Sequence, residues 1–329
     1  MMKRLKILFL KSHLNPSIKS YFQGTSTSSS LWGMIQLSSK FEVITKNARN
    51  FISRTFCFLF NRFDVLYIWS YLPKANPPYM LLKLLPSCRH KKVIVLFHSH
   101  PYGKGRSIKN LGKARKLLLE FWCKGIDRAL FFSPLSMMET ITAGLIPCEK
   151  CVLIHWGGDL KYYNPYMDKI SDEGYWVHTG KEMRDWNTID AVEQILHKRG
   201  TTSLKVIRER VSYAECLRLE LKASGVIIIP NDKGLTYCTG LTCIMTALSL
   251  GKPIVAVRNP YWPFDLEAMG VGIYVRAHHP DDVVEAIDRI DHDPALKKSI
   301  QQNAFQLAKK YNMEFFGAEL ETIIHELCN

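Results

Sequence analysis

Short apolar runs alternate along the whole chain with longer stretches whose apolar residues recur at helical spacing. In the first half, residues 5–10, 41–45, 64–70, 92–97, 128–133 and 152–155 read as buried strands. Between them, 31–37, 47–60, 79–85, 104–124 and 134–143 read as helices, with Gly24 to Ser30 as loop or cap material. The second half repeats the style, with strands over 175–179, 204–207, 226–229, 254–257 and 272–275. Its helices are predicted over 186–198, 281–290, 294–310 and 313–327. Residues 162–172 read as a linker. Such alternation predicts two doubly wound parallel sheets, one per half, although no internal sequence repeat is visible.

One stretch organises the second half. After the apolar run Val226 to Ile229, residues 231–257 form a loop containing Gly234 and Gly240, a helix of small and apolar residues, a stop at Gly251 and Pro253, and another strand. A loop feeding a helix N-terminus offers backbone N–H groups at the positive end of the helix dipole, a site for a phosphate. The same pattern also suits a packed crossover helix with no ligand. A second loop of this kind, Gly180 to Asp185, precedes the helix at Trp186, and Arg184 within it can clamp a diphosphate oxygen. There is no Walker loop and no G-x-G-x-x-G at the first strand, so neither an ATPase nor a nicotinamide enzyme is indicated.

Charge changes the picture of the first half. Residues 1–160 hold 24 Lys and Arg against 7 Asp and Glu, whereas residues 161–329 hold 20 against 23. The asymmetry supports two domains and gives the first an anionic partner. Its densest positive stretch is Lys104, Arg106, Lys109, Lys113, Arg115, Lys116 and Lys124, either a solvated face or a dock for anionic lipid headgroups. Residues 47–60 set Arg49 and Arg54 beside an aromatic face, which fits a packed helix or one that dips into a membrane interface. No apolar run approaches the roughly eighteen residues that span a bilayer, and the N-terminus lacks a signal peptide's apolar core. Nine scattered cysteines suit a reducing compartment, and Cys148 and Cys151 lack the second pair a zinc site needs. Nucleic-acid binding is disfavoured, because the basic half has no interleaved aromatic motif or helix-turn-helix pattern. His98 and His100 close the fourth strand, where open α/β sheets place their ligands.

Four segments together resemble the GT-B glycosyltransferases, most of all retaining family 4. Residues 240–256, G-L-T-C-I-M-T-A-L-S-L-G-K-P-I-V-A, are similar to that family's G-x-x-x-x-E-A-x-x-x-G-x-P-V-I signature with one extra residue. Residues 143–165 resemble its segment closing the first domain, 179–191 its glycine-basic-helix loop and 259–275 its following loop and strand. The resemblance implies two Rossmann-like domains facing a central cleft. Residues 1–165 would form the acceptor side, with the helix 313–329 packing back on it, and residues 166–312 would bind a nucleotide-sugar. It implies a diphosphate cradled by the N–H groups of Gly240, Leu241 and Thr242, with Arg184 compensating charge as the nucleotide leaves and no metal required. Gly180, Lys181 and Thr239 would line the phosphates, the segment from Arg210 to Tyr213 would border the nucleobase, and His100, or else His98, would face the sugar. The family's paired glutamates fall here on Cys238 and Thr246, neither of which replaces a carboxylate, although Thr246 can offer one hydrogen bond. The expected activity is transfer of a hexose from a UDP- or GDP-sugar to a lipid-linked saccharide or polysaccharide precursor, with retention. The expected location is cytoplasmic, on an anionic membrane surface. The alternative is a catalytically silent GT-B protein that binds nucleotide or partners an active transferase.

Overall fold

Eleven strands among the described residues assemble into two all-parallel sheets. The structure, a computed structural model, describes residues 4–10, 14–69, 75–103, 111–209 and 211–329. Contacts divide the chain into two units. One comprises Met1–Gln23, Ser28–His155 and Glu314–Asn329, and the other Gly24–Thr27 and Trp156–Met313. The second unit therefore starts ahead of residue 165.

In the first unit the strands are β1 (Lys6–Leu10), β2 (Glu42–Lys46), β3 (Val65–Ile68), β4 (Lys92–Phe97), β5 (Arg128–Phe131) and β6 (Cys151–Leu153), ordered β2-β1-β3-β4-β5-β6. Alternate side chains give the sheet two apolar faces, as burial on both sides of a parallel sheet requires. Leu8, Leu10, Leu66, Ile68, Val93 and Val95 share one core with Phe58, Tyr79 and Leu119 from the crossover helices Phe51–Phe60, Tyr79–Leu82 and Lys113–Cys123. Right-handed crossovers running in one direction along a sheet place those helices in one layer. The helix Met313–Cys328 is tied to the end of β6, where the Glu319 carboxylate accepts from the His155 N–H at 2.9 Å and sits 2.7 Å from its Nδ1.

The second unit has β7 (Tyr175–His178), β8 (Ser203–Val206), β9 (Gly225–Ile228), β10 (Ile254–Val257) and β11 (Gly272–Val275), ordered β11-β10-β9-β7-β8. From β7 the chain steps first to β8 on one side and then to β9 on the other. Between β7 and β9 lies the switch point, outside whose carboxyl ends doubly wound folds bind ligands.

The structure differs from the sequence expectation in four places. Residues 162–172 are no linker: Leu160–Tyr163 is helical, Asn164–Lys169 is a 3₁₀ turn, and Tyr163 is buried with Leu217, Leu221 and Leu250. The aromatic side chains there are core rather than spacer. A helix at Tyr213–Lys222 was not expected, although its Ser212–Glu215 capping box is legible in the sequence. The helix Leu14–Phe22 was likewise unforeseen. The basic stretch begins its helix at Lys113, and Lys104, Arg106 and Lys109 lie outside the described residues.

Candidate functional site

The loops leaving β7 and β9 are knitted together across the switch point. Asp185 N–H donates to the Ile229 carbonyl at 3.0 Å, and Asn231 N–H to the Met183 carbonyl at 2.9 Å. Met183 takes a left-handed conformation, φ 52°, which a side chain that size adopts only when its surroundings impose it. Asp185 then caps the helix Trp186–Arg199, accepting from Thr188 N–H at 3.3 Å and from its hydroxyl at 2.6 Å. On its other side Asp185 meets His278 Nδ1 at 2.7 Å, whose Nε2 is 3.0 Å from Asp232, and these two carboxylates raise the His278 pKa.

This scaffold fixes Arg184. Its side chain is only 6% exposed, and it forms no ion pair with any described residue. A Cβ on Gly180 would lie 1.9 Å from Arg184 Nη2, and one on Gly240 would lie 3.6 Å from Nη1. The guanidinium is thus laid against the Gly180 backbone beside the start of the helix Leu241–Ser249. Gly240 caps that helix at φ 86°, a left-handed position natural to glycine. One nitrogen, Nη2, is 3.8 Å from Cys243 Sγ, whereas Nε and Nη1 are buried with no hydrogen-bond partner. A buried polar group without a partner costs roughly 1–3 kcal/mol, more when charged, so this arrangement suits the binding of an anion.

The other expected residues divide. Gly240 is half-buried and Thr242 exposed beside it, while Leu241 is buried and its N–H donates to the Cys238 carbonyl at 3.3 Å. The Thr239 carbonyl accepts from Trp262 Nε1 at 2.8 Å, and Asn259 Nδ2 holds the Tyr237 carbonyl at 2.8 Å, so the loop after β10 braces the one before the helix. Lys181 is exposed. Cys238 is buried. Thr246 is buried too, and its hydroxyl is engaged by the Thr242 carbonyl at 3.1 Å and by Tyr163 OH at 3.2 Å. The hydrogen bond it was expected to offer is made inside the protein. Tyr213 reaches the same place, its hydroxyl against that of Tyr163. Arg210 lies outside the described residues.

In the first unit His100 is buried at the end of β4, its ring stacked on Tyr102 with centroids 4.5 Å apart. Its Nε2 is 3.4 Å from Glu139 Oε2, which also accepts from Tyr102 OH at 3.2 Å. His98 stacks on Trp32, which in turn stacks on Trp69.

No protein-family model and no curated protein matches the chain in sequence. Solved structures do. Sucrose-phosphate synthase from Thermosynechococcus elongatus superposes with a TM-score of 0.68 at 12% identity over 98% of this chain and 99% of its own. A glycosyltransferase from Rickettsia africae gives 0.64 at 13% identity, covering 99% of both chains. Anabaena HepE, crystallised with UDP and glucose, gives 0.61 at 12% identity over 98% of this chain and 100% of its own.

The chain has the GT-B fold.

Set on that fold, the second unit carries site features that the sequence reading passed over. Glu220, on the helix Tyr213–Lys222, is 3% exposed, and its Oε1 accepts from Thr179 Oγ1 at 2.7 Å. Burial raises the Glu220 carboxyl to about 7. Thr179 directly precedes Gly180, and its hydroxyl is 3.9 Å from the Cys243 sulfur that touches Arg184. The signal was present: Leu217, Glu220 and Leu221 share one face at i, i+3 and i+4, so a carboxyl stands on a helix's apolar stripe. His178, fully buried beneath this loop, is held neutral by burial and the nearby Arg184, its pKa lowered to about 4.

Proposed function

We propose that the chain is a glycosyltransferase, moving a hexose from a UDP- or GDP-sugar to a lipid-linked saccharide or polysaccharide precursor. The observation that carries this reading is the Arg184 guanidinium, buried with Nε and Nη1 unpartnered beside the N-terminus of the helix Leu241–Ser249. A nucleoside diphosphate supplies the missing acceptors. As the bond from the sugar to the diphosphate breaks, negative charge grows on the leaving oxygen. A fixed guanidinium and helix dipole stabilise that charge without reorganising. Positive charge from these groups makes a metal ion unnecessary in this reading, and transfer proceeds with retention. Gly180, Thr239, Gly240 and Thr242 line the phosphates, with exposed Lys181 as a further cation, and His100 belongs to the sugar side of the reaction.

The membrane part of the proposal rests on the first unit. The helices Phe51–Phe60 and Lys113–Cys123 and the segment between them expose Ile52 at 65%, Phe60 at 73% and Leu84 at 75%, together with Phe56, Leu117 and Leu118. Exposed apolar side chains among Arg62, Arg89, Lys113, Arg115 and Lys116 fit a surface that combines acyl chains with anionic headgroups. No helix among the described residues is long and apolar enough to cross a membrane. The proposed location is the cytoplasmic face of an anionic membrane, held by that surface.

A second reading is favoured by one observation. Cys238 and Thr246 are both buried, and the Thr246 hydroxyl is already bonded, so the pair offers no carboxylate to a sugar or ribose. A protein that binds nucleotide without turnover would look the same there. A thermal-shift screen of UDP-, GDP- and dTDP-sugars followed by a turnover assay separates the two. Binding with transfer supports the enzyme, binding without turnover the silent protein, and no shift with any of them removes the nucleotide-sugar site.

A further inference from the structure

Glu220 is a buried carboxyl that the reaction outlined above does not use. No cation among the described residues pairs with it, and the Thr179 hydroxyl donates a hydrogen bond to it. Carboxyls are seldom this buried without a paired charge. The position is also specific. Thr179 opens the loop whose next residue, Gly180, supports the Arg184 guanidinium, and Cys243 Sγ lies within 3.9 Å of Thr179 Oγ1 and 3.8 Å of Arg184 Nη2. Carboxyl, hydroxyl, thiol and guanidinium therefore run in one chain from the helix Tyr213–Lys222 to the anion site.

We propose that Glu220 is a positioning residue of the phosphate site and that an anion binding beside Arg184 is accompanied by uptake of up to one proton, from solvent, at its carboxyl. This rests on the reading of Arg184 as the phosphate anchor. Protonated, Glu220 still accepts the Thr179 hydroxyl and places no negative charge behind the diphosphate. Ionised, it opposes the incoming anion through a medium that screens poorly. The remaining groups around it stay fixed near neutral pH. Tyr163, Tyr213, Cys216 and Cys243 all have pKa values raised by burial, and His178 is already neutral. His278, on the far side of Asp185, is the neighbouring group that titrates nearby, so the inference is read from the difference between wild type and a Glu220 variant.

The test is calorimetry in two buffers of different ionisation enthalpy, between pH 6 and pH 8, with UDP-glucose and separately with sulfate, neither of which changes its own protonation appreciably in that range. Wild type is expected to take up a fraction of a proton with each ligand, its affinity falling by up to about tenfold per pH unit above neutrality. Glu220→Gln, which keeps an acceptor for Thr179, is expected to bind both with no such slope. Proton uptake with sulfate but no binding of UDP-glucose would uphold the role of Glu220 while removing the nucleotide-sugar reading. An unchanged slope in Glu220→Gln, or no proton uptake by wild type with either anion, overturns the proposal, as does failure of both anions to bind.

Discussion

Arg184 carries its charge into the interior beside two glycines and the start of a helix, without a carboxylate partner among the described residues. Removing one member of such a charge-stabilising set typically costs a factor of about 10² to 10³ in turnover. Arg184→Ala is expected to lose sugar transfer by that order and to keep a cooperative melt, checked by a transfer assay beside a thermal scan. Glu220 makes a second prediction through its pKa. A carboxyl whose folded value is raised to about 7, above its ordinary value of about 4.3, favours the folded state below the unfolded value. That contribution is lost as pH climbs through the folded pKa. Glu220→Gln is therefore expected to melt higher than wild type at pH 8 and alike at pH 4, by differential scanning calorimetry. At this scale the sequence was partly readable. Arg184 and Gly240 stood in a recognisable pattern, but the fate of the Thr246 hydroxyl depends on Tyr163, 83 positions away in sequence, and no local pattern encodes that.

The loop from Gly180 to Asp185 works as an element because its two ends are held, by the backbone pairing to Ile229 and Asn231 and by the Asp185 cap. Gly180→Ala inserts a methyl 1.9 Å from Arg184 Nη2, the far end of a flexible side chain. Anion affinity is expected to fall severalfold with little loss of stability, measured by titration calorimetry and melting. Gly240→Ala differs in kind. At φ 86° its Cβ meets Ile228 Cγ2 at 2.8 Å, so about 1–2 kcal/mol of stability is expected to go as well. The strands around these loops were legible because buried parallel strands are uninterrupted apolar runs. The helix Tyr213–Lys222 was obscured by its mixed surface and by a glutamate on its inner face, and residues 162–172 because tyrosines and a proline read as loop.

Taken whole, the chain pairs a unit rich in positive charge with one that is nearly neutral, and the helical layer of the first exposes large apolar side chains. If both features serve a bilayer, anionic vesicles are expected to retain the protein at low salt and part of it at high salt, since screening weakens charge but not insertion. Replacing Ile52 and Phe60 together by Asp is expected to remove the salt-resistant fraction in a flotation assay, and an unchanged fraction would count against insertion. The fold could be inferred from strand order and short motifs, and structures at 12–13% identity share it. Activity is a different matter, since it turns on a handful of side chains in that frame. The most direct measurement is transfer and binding of UDP-glucose by wild type and Arg184→Ala under identical conditions. Saturable binding with hexose transfer by wild type, and loss of both in the variant, is the result expected. Equal binding by the two proteins, or none by wild type to any sugar nucleotide, would contradict a diphosphate site built on Arg184.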